Sequence, residues 1–230
     1  MGCRWTGWPV AAALGAALAA SAAGAHEGAH AADDGPALGY ELPAAGSYEL
    51  PPIQRVADRV LLGSDARPAK LLGLAPGQLA VVSFTYLGCS DPNGCPLALA
   101  TLVRLDRALA ARPELSRRVR IVSVSFDPAR DRPADLARLR EGLAPRADWR
   151  FLTAADPEAL APVLAEFGQS VDVLPAEGQA PAALGHVLKV FLVDAQGRVR
   201  NIYSTGFLDH RLLLRDVETL LRAPAAPPGS

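Results

Sequence analysis

Two largely apolar, β-rich stretches, each followed by a helical pattern, constrain the fold of this chain more than any other feature. The first is QLAVVSFTYL at residues 78–87, and the second is RVRIVSVSFDP at residues 118–128. The first run is apolar almost throughout, and the second is rich in β-branched residues, which is typical of strands that are buried on both faces, as in a parallel sheet. We therefore predict an α/β domain in which helices cover a central sheet.

The other predicted elements complete this architecture. In chain order, we predict a short strand or hairpin at 53–65, a strand at 78–87, a helix from Pro96 to Pro113, a strand at 118–128, a helix at 132–143, a strand at 149–153, a helix at 156–168 that Asp156 caps, a hairpin at 187–205 and a helix at 208–222. Strands and helices that alternate and end in a hairpin and a closing helix have the order of a thioredoxin-like fold, with a central mixed sheet flanked by helices. We assign this domain to residues 47–222.

The N-terminus has the pattern of an export signal. Arg4 is the only charge before the alanine-rich stretch at 8–25, and Ala23-Gly24-Ala25 supplies the small residues that a signal peptidase needs. We predict a cleaved signal peptide at 1–25, with an uncleaved membrane anchor as the alternative, so the mature protein is expected in the periplasm or another extracytoplasmic space. Disulfides can persist in such a compartment.

The segments on either side of the predicted domain are expected to be irregular. Residues 26–46 lack periodicity and are predicted to be a flexible leader, which contains His26 and His30. The HEGAH segment there could bind metal weakly, although histidine in such a leader is usually just solvent-exposed. Residues 223–230, APAAPPGS, are predicted to be a disordered tail.

The overall charge argues against one class of partner. The chain has 23 Lys and Arg and 24 Asp and Glu among 230 residues, which gives a formal net charge of −1. Without an excess of basic residues or a basic stripe, we predict no nucleic-acid partner.

Two cysteines stand at the end of the first apolar run, in FTYLGCSDPNGCPLA. Between Cys89 and Cys95 lies Asp-Pro-Asn-Gly, a strong β-turn sequence that would fold the loop back and bring the thiols together. Pro96 suits the first helical position, so Cys95 is expected near the helix N-cap, where the backbone N–H dipoles favour a thiolate.

This pair could be a structural disulfide, a redox couple or two soft metal ligands. A redox couple of this fold usually has two intervening residues rather than five, and a proline where Leu188 stands. A metal site needs a further ligand, and His186 opens the predicted strand that faces the cysteine loop, whereas His210 begins the last helix. Two thiolates and one imidazole suit Cu(I), and also Cu(II) or Zn(II), although zinc would want a fourth ligand.

The chain resembles the Sco/SenC family of copper proteins that assist the assembly of cytochrome c oxidase. The resemblance runs from about residue 48 to 222, through VVSFTYLGC…CPLA, VSVSFDPARDRPADLARL, WRFLT followed by LAEFG, and HVLKVFLVDAQGRVRNIY. In that family two cysteines and a histidine bind copper, and the matching residues here are Cys89, Cys95 and His186. The resemblance also implies a thioredoxin-like fold and an extracytoplasmic site near the membrane.

Two departures and one further motif accompany this resemblance. The family has three residues between the cysteines, whereas this chain has five. The family is also commonly membrane-anchored, whereas we predict a cleaved signal peptide for this chain. Asp127 and Asp131 match an acidic motif of the family, but a strand-end turn with helix capping explains them more simply.

We therefore predict a copper chaperone rather than an enzyme. It would carry Cu(I), Cu(II) or both, and would deliver copper to, or maintain the thiols of, a copper-enzyme subunit such as that of cytochrome c oxidase. A thiol reductant of the thioredoxin-like type would reduce the redox disulfide Cys89–Cys95. The alternative is a thiol–disulfide oxidoreductase that acts without metal.

Overall fold

The computed structural model describes residues 1–2, 38–174 and 184–222. The chain divides after Pro36, and all of the elements below lie in the unit Ala37–Ser230. Apart from Met1 and Gly2, the predicted signal peptide at 1–25 lies outside the described residues, and so do His26, His30 and the predicted tail at 223–230. The predicted domain boundary at residue 47 stays a prediction.

Ten strands and five helices are described. The strands are β1 (Gln54–Arg55), β2 (Val60–Gly63), β3 (Pro68–Lys70), β4 (Leu79–Thr85), β5 (Val119–Ser125), β6 (Trp149–Thr153), β7 (Val171–Val173), β8 (Leu184–His186), β9 (Val190–Asp194) and β10 (Arg198–Tyr203). The helices are α1 (Cys95–Ala110), α2 (Pro113–Ser116), α3 (Pro133–Leu143), α4 (Pro157–Phe167) and α5 (His210–Arg222). Within the described ranges, no helix has the length and apolar character that crossing a membrane requires.

Eight strands form one mixed sheet in the order β1-β10-β9-β4-β5-β6-β2-β3, and β7 and β8 form a separate two-stranded sheet. Strand β4 is parallel to β5 and antiparallel to β9, and β5 is parallel to β6. Because parallel neighbours end at the same edge, the loops that follow β4 and β5 leave the sheet side by side.

The two apolar runs are buried on both sides, as predicted. All seven residues of β5 are buried, and so are the first six of β4. On one face Val82 and Phe84 pack with α4, where the Phe84 and Phe167 rings meet edge to face at 5.1 Å. On the other face Val81 packs with α1 and α5. The continuous apolar pattern therefore reflects two cores, one on each face of the sheet.

Most predicted elements are present, with shifts of a few residues at their ends. Asp156 is the N-cap of α4, and its side chain accepts a hydrogen bond from the Ala159 N–H at 2.8 Å. The segment at 53–65 is not a hairpin, because β1 pairs with β10 while β2 pairs with β3 and β6. The strands β3, β7 and β8 and the short helix α2 were not predicted, since each has only three or four residues.

A buried carboxylate closes the turn between β9 and β10. Asp194 Oδ1 accepts hydrogen bonds from the backbone N–H groups of Gln196 and Arg198, both at 3.0 Å. Its Oδ2 accepts from Arg198 Nε at 2.8 Å and from Arg200 Nη1 at 3.0 Å. Burial opposes ionisation here, but the hydrogen bonds from Arg198 and Arg200 hold the pKa of Asp194 below its ordinary value.

This pairing gives a pH-dependent stability. A carboxyl whose pKa is depressed by folding stabilises the protein above its unfolded pKa, and this contribution is lost as pH falls through the folded pKa. We expect Asp194→Asn to lower the free energy of unfolding by about 3 kcal/mol at pH 7, because two largely buried arginines lose their counter-charge. The difference from wild type should shrink as pH falls below about 4, where the unfolded chain begins to take up the proton, and it should be lost once the folded carboxyl is itself protonated at lower pH.

Urea unfolding at a series of pH values measures this difference. Glu218→Gln is the control, because Glu218 pairs with the half-exposed Arg112 and should contribute less than about 1 kcal/mol. A wild-type advantage over Asp194→Asn that stays constant down to pH 2 would contradict the assignment.

Candidate metal centre

The cysteine loop, residues 86–94, joins the end of β4 to the start of α1. Its turn forms as predicted: the Gly94 N–H donates to the Asp91 carbonyl at 3.0 Å, and the Asn93 N–H donates to Asp91 Oδ1 at 3.0 Å. At the start of the loop, the Cys89 N–H donates to the Tyr86 carbonyl at 3.3 Å. The loop therefore folds back on itself and returns the chain to the sheet edge.

Helix α1 begins one residue earlier than predicted. Gly94 is the N-cap, Cys95 is the first helical residue and Pro96 the second. A Cβ atom at Gly94 would lie 3.4 Å from Cys89 Sγ and 3.3 Å from Asp91 Oδ2, which is close for a methyl group. Glycine at this position allows the two cysteine-bearing segments to approach each other.

His186 is the third residue of the predicted site, and its position differs from the prediction. It does not open the central strand, since it ends β8 and residues 187–189 separate it from β9. In β8 it pairs with Val171 of β7. The short β7–β8 ribbon, whose strands were too short to predict, therefore positions this histidine.

The ribbon places His186 against the cysteine loop. Its Nε2 atom lies 3.7 Å from Cys95 Sγ. Metal–sulfur and metal–nitrogen bonds of about 2.3 and about 2.0 Å, as in zinc sites, place the two donors roughly 3.5 Å apart at a tetrahedral angle. Cys95 and His186 are thus at the separation that suits two ligands of one metal ion.

Aromatic rings form the wall behind His186. The ring centroid of Phe126 lies 4.7 Å from that of the histidine, and the centroid of Tyr86 lies 6.2 Å away. Burial lowers the pKa of His186, although its bond to the Leu184 backbone and the charge of Asp91 act in the opposite direction. The imidazole is therefore neutral at pH 7, which is the form that binds metals.

The thiol of Cys95 is buried and its pKa is raised. Burial is the main cause and the neighbouring Cys89 thiol adds to it, while a hydrogen bond from the Tyr86 backbone acts against it. The prediction that the helix N-terminus would favour a Cys95 thiolate is therefore wrong for the metal-free protein, because desolvation raises the pKa of this thiol by more than its backbone hydrogen bonds lower it. Both cysteines are free thiols, and Cys89 is the more exposed of the two.

The three predicted residues lie near one another, but they are not arranged as a complete set of metal ligands. Cys95 contacts His186, and the neighbouring Cys89 thiol helps to raise the pKa of Cys95. Over residues 38–174 and 184–222, no three His, Cys, Asp or Glu side chains are already arranged to hold a metal ion. His210, the first residue of α5, is buried. A Cys₂His site therefore requires a small movement of the ligand side chains.

The acidic motif after β5 has two roles, and only one of them was predicted. Asp127 belongs to a strand-end turn, in which its carbonyl accepts from the Asp131 N–H at 2.8 Å and its carboxylate pairs with Arg130. Asp135, not Asp131, closes the capping box of α3. Asp131 instead accepts a hydrogen bond from the backbone N–H of Leu87, in the cysteine loop.

A second supporting residue lies on the histidine side. Gln169 is buried, and its Nε2 donates to the Val187 carbonyl at 3.1 Å, immediately after His186. The acidic FDPARDRP sequence was a usable signal for Asp131. Nothing in the sequence around Gln169 marked it.

Comparisons with known proteins identify the family and the fold of this chain. No curated protein matches the chain. Among solved structures, a SCO1/SenC family lipoprotein from Bacillus anthracis is 25% identical, with a TM-score of 0.60 over 74% of this chain and 96% of its own. ScoI from Arabidopsis thaliana with copper bound is 19% identical, with a TM-score of 0.60 over 71% of this chain and 95% of its own.

A third structure is BsSco, described as a member of the Sco family of cytochrome c oxidase assembly proteins with a disulfide switch. It is 21% identical, with a TM-score of 0.55 over 80% of this chain and 100% of its own. These structures confirm the predicted α/β, thioredoxin-like fold, in which helices flank a mixed sheet.

The family model for SCO1/SenC matches residues 74–222, which is well over half of the 230 residues. The match begins just before β4 and ends with α5, so it includes the cysteine loop, the β7–β8 ribbon and most of both apolar cores. The chain belongs to the SCO1/SenC family.

Proposed function

We propose that this protein is an extracytoplasmic copper chaperone that holds copper through Cys89, Cys95 and His186. The observation that carries the proposal is the 3.7 Å contact between Cys95 Sγ and His186 Nε2, with the Cys89 thiol beside it. The copper-bound ScoI of Arabidopsis thaliana, which has the same fold, supports copper as the metal. Copper is the cargo of this site.

The donor set favours copper on chemical grounds. Two thiolates and one imidazole are soft to borderline ligands, which bind Cu(I) well and also accept Cu(II). His186 offers its neutral imidazole without losing a proton, whereas Cys95 must release one when it binds. The metal thereby replaces the thiol proton in a partly buried site.

The proposed partners follow from the need to load and unload this site. The acceptor is a subunit of a copper enzyme, and cytochrome c oxidase is the candidate because BsSco belongs to a family of its assembly proteins. The predicted signal peptide supports a location in the periplasm or a similar compartment, close to membrane-bound acceptors. Oxidised cysteines offer no thiolate, so a thiol reductant of the thioredoxin-like type is required to restore the copper-binding form.

A second candidate function is thiol–disulfide exchange without metal. The proximity of the two free thiols favours it, and so does the disulfide switch named for BsSco. Cys89 would be the attacking thiol because it is the more exposed one, and Cys95 would resolve the mixed disulfide. His186 distinguishes the two functions, since exchange does not require it.

We expect the reduced protein to bind one Cu(I) per chain. Cys89→Ser with Cys95→Ser should abolish this binding, and His186→Ala should weaken it by at least about a hundredfold, because a lost ligand exceeds the effect of a lost supporting residue. Anaerobic titration against a chelator of known affinity measures both effects.

Val187→Ala is the matched control, since this side chain follows His186 and is largely exposed. It should keep the wild-type affinity. Wild-type copper affinity in His186→Ala would remove this residue from the proposed ligands, and thiol–disulfide exchange at the wild-type rate in the same variant would then favour the second function over the first.

We also expect mild oxidation to form a Cys89–Cys95 disulfide and to abolish copper binding, because a disulfide provides no thiolate ligand. Mass spectrometry after alkylation measures the number of free thiols, and copper titration of the same sample measures the binding. His186→Ala should form the disulfide as readily as wild type does. Copper binding that persists with both cysteines oxidised would exclude the proposed ligands.

A further inference from the structure

The buried carboxyl group of Asp131 reaches from the loop after β5 to the backbone of the cysteine loop. Its Oδ2 atom accepts hydrogen bonds from the Leu87 N–H at 3.0 Å and from the Ser125 hydroxyl at 2.6 Å. Asp131 is only 3% exposed. The bond to Leu87 spans 44 residues of sequence and joins two loops that leave the sheet at the same edge.

The Leu87 backbone lies two residues before Cys89, in a part of the loop that side-chain packing does not hold. The Leu87 side chain is 44% exposed, and the next residue, Gly88, has no side chain. The hydrogen bond to Asp131 therefore fixes the path of the chain as it approaches Cys89. The Cys89 N–H also donates a hydrogen bond to the Tyr86 carbonyl at 3.3 Å, which holds Cys89 close to this part of the loop.

The carboxyl group itself is held by the core of the sheet. Ser125 is the last residue of β5 and pairs with Thr85 of β4. The Phe126 N–H donates to the Thr85 carbonyl at 3.0 Å, and the Asp131 N–H donates to the Asp127 carbonyl at 2.8 Å. Asp131 thus links the cysteine loop to the paired central strands β4 and β5.

We propose that Asp131 is a positioning residue for the cysteine pair: through the Leu87 N–H, it sets the position of Cys89 relative to Cys95 and His186. This inference rests on the proposed function, because it concerns the same two thiols. It adds a residue that binds no metal, lies outside the cysteine loop and acts through the backbone.

The position of Cys89 is measured by how readily the two thiols form a disulfide. In the exchange with glutathione disulfide, the Cys89 and Cys95 sulfurs form a bond and lose two protons and two electrons in total. Glutathione disulfide accepts these, its S–S bond breaks, and two molecules of reduced glutathione leave. The equilibrium constant reports the effective concentration of one thiol at the other.

Two substitutions separate the hydrogen bond from the charge. Asp131→Ala removes the acceptor and leaves the Leu87 N–H without its partner, which corresponds to roughly a fivefold to hundredfold change in an equilibrium constant. We expect the disulfide equilibrium constant and the Cu(I) affinity each to fall by about tenfold. Both donors bond to the same oxygen, so the amide oxygen of Asp131→Asn can accept both bonds, and this variant should stay within about twofold of wild type.

Asp135→Ala is the matched control. Asp135 is an acidic residue at the start of α3, where it accepts from the Arg132 N–H at 3.0 Å and pairs with Arg138. Its loss should lower stability through the helix cap without changing the thiol equilibrium. Equal falls in the disulfide constant for Asp131→Ala and Asp135→Ala would show general loosening and would overturn the proposal.

Amide hydrogen exchange keeps the test decisive even where Asp131→Ala does not fold. The Leu87 N–H should be protected in wild type and in Asp131→Asn, and rapid exchange in wild type would overturn the proposal. An Asp131→Asn variant as impaired as Asp131→Ala would also overturn it. If wild type binds no Cu(I), the proposed function fails, whereas the disulfide equilibrium still tests Asp131.

Discussion

The parallel pairing of β4 with β5 is the constraint on which the rest of the structure depends. Both strands are buried on two faces, so their register is fixed by side chains on each side of the sheet. Parallel strands also bring two carboxyl ends to one edge. The cysteine loop and the acidic loop emerge there as neighbours, and the Asp131–Leu87 hydrogen bond joins them.

The site itself balances burial against charge. Desolvation keeps the Cys95 thiol protonated and the His186 imidazole neutral. In the absence of metal the site therefore carries little charge in an environment that solvates charge poorly. A soft cation that forms bonds to sulfur and nitrogen offsets the desolvation of the ligands, which explains how a half-buried site can prefer a metal over protons.

Local chemistry made part of this structure predictable. Apolar runs, the Asp-Pro-Asn-Gly turn and the Asp156 cap depend on neighbouring residues, and each is found where the sequence indicates. The position of His186 depends on a three-residue strand that pairs across 15 residues, which leaves almost no periodic signal. The raised pKa of the Cys95 thiol could not be predicted either, because it depends on how deeply the tertiary structure buries the start of α1.

The β7–β8 ribbon is a sheet of its own, whereas Cys89 lies in the loop that follows β4 of the eight-stranded sheet and Cys95 begins α1. A metal ion held by Cys95 and His186 would therefore act as a cross-link, closing a segment of 91 residues between two parts of the domain that share no strand. Local opening of the ribbon would then require breaking a coordination bond. Release of the metal and local opening of the β7–β8 ribbon would therefore be thermodynamically coupled, so that each makes the other more favourable.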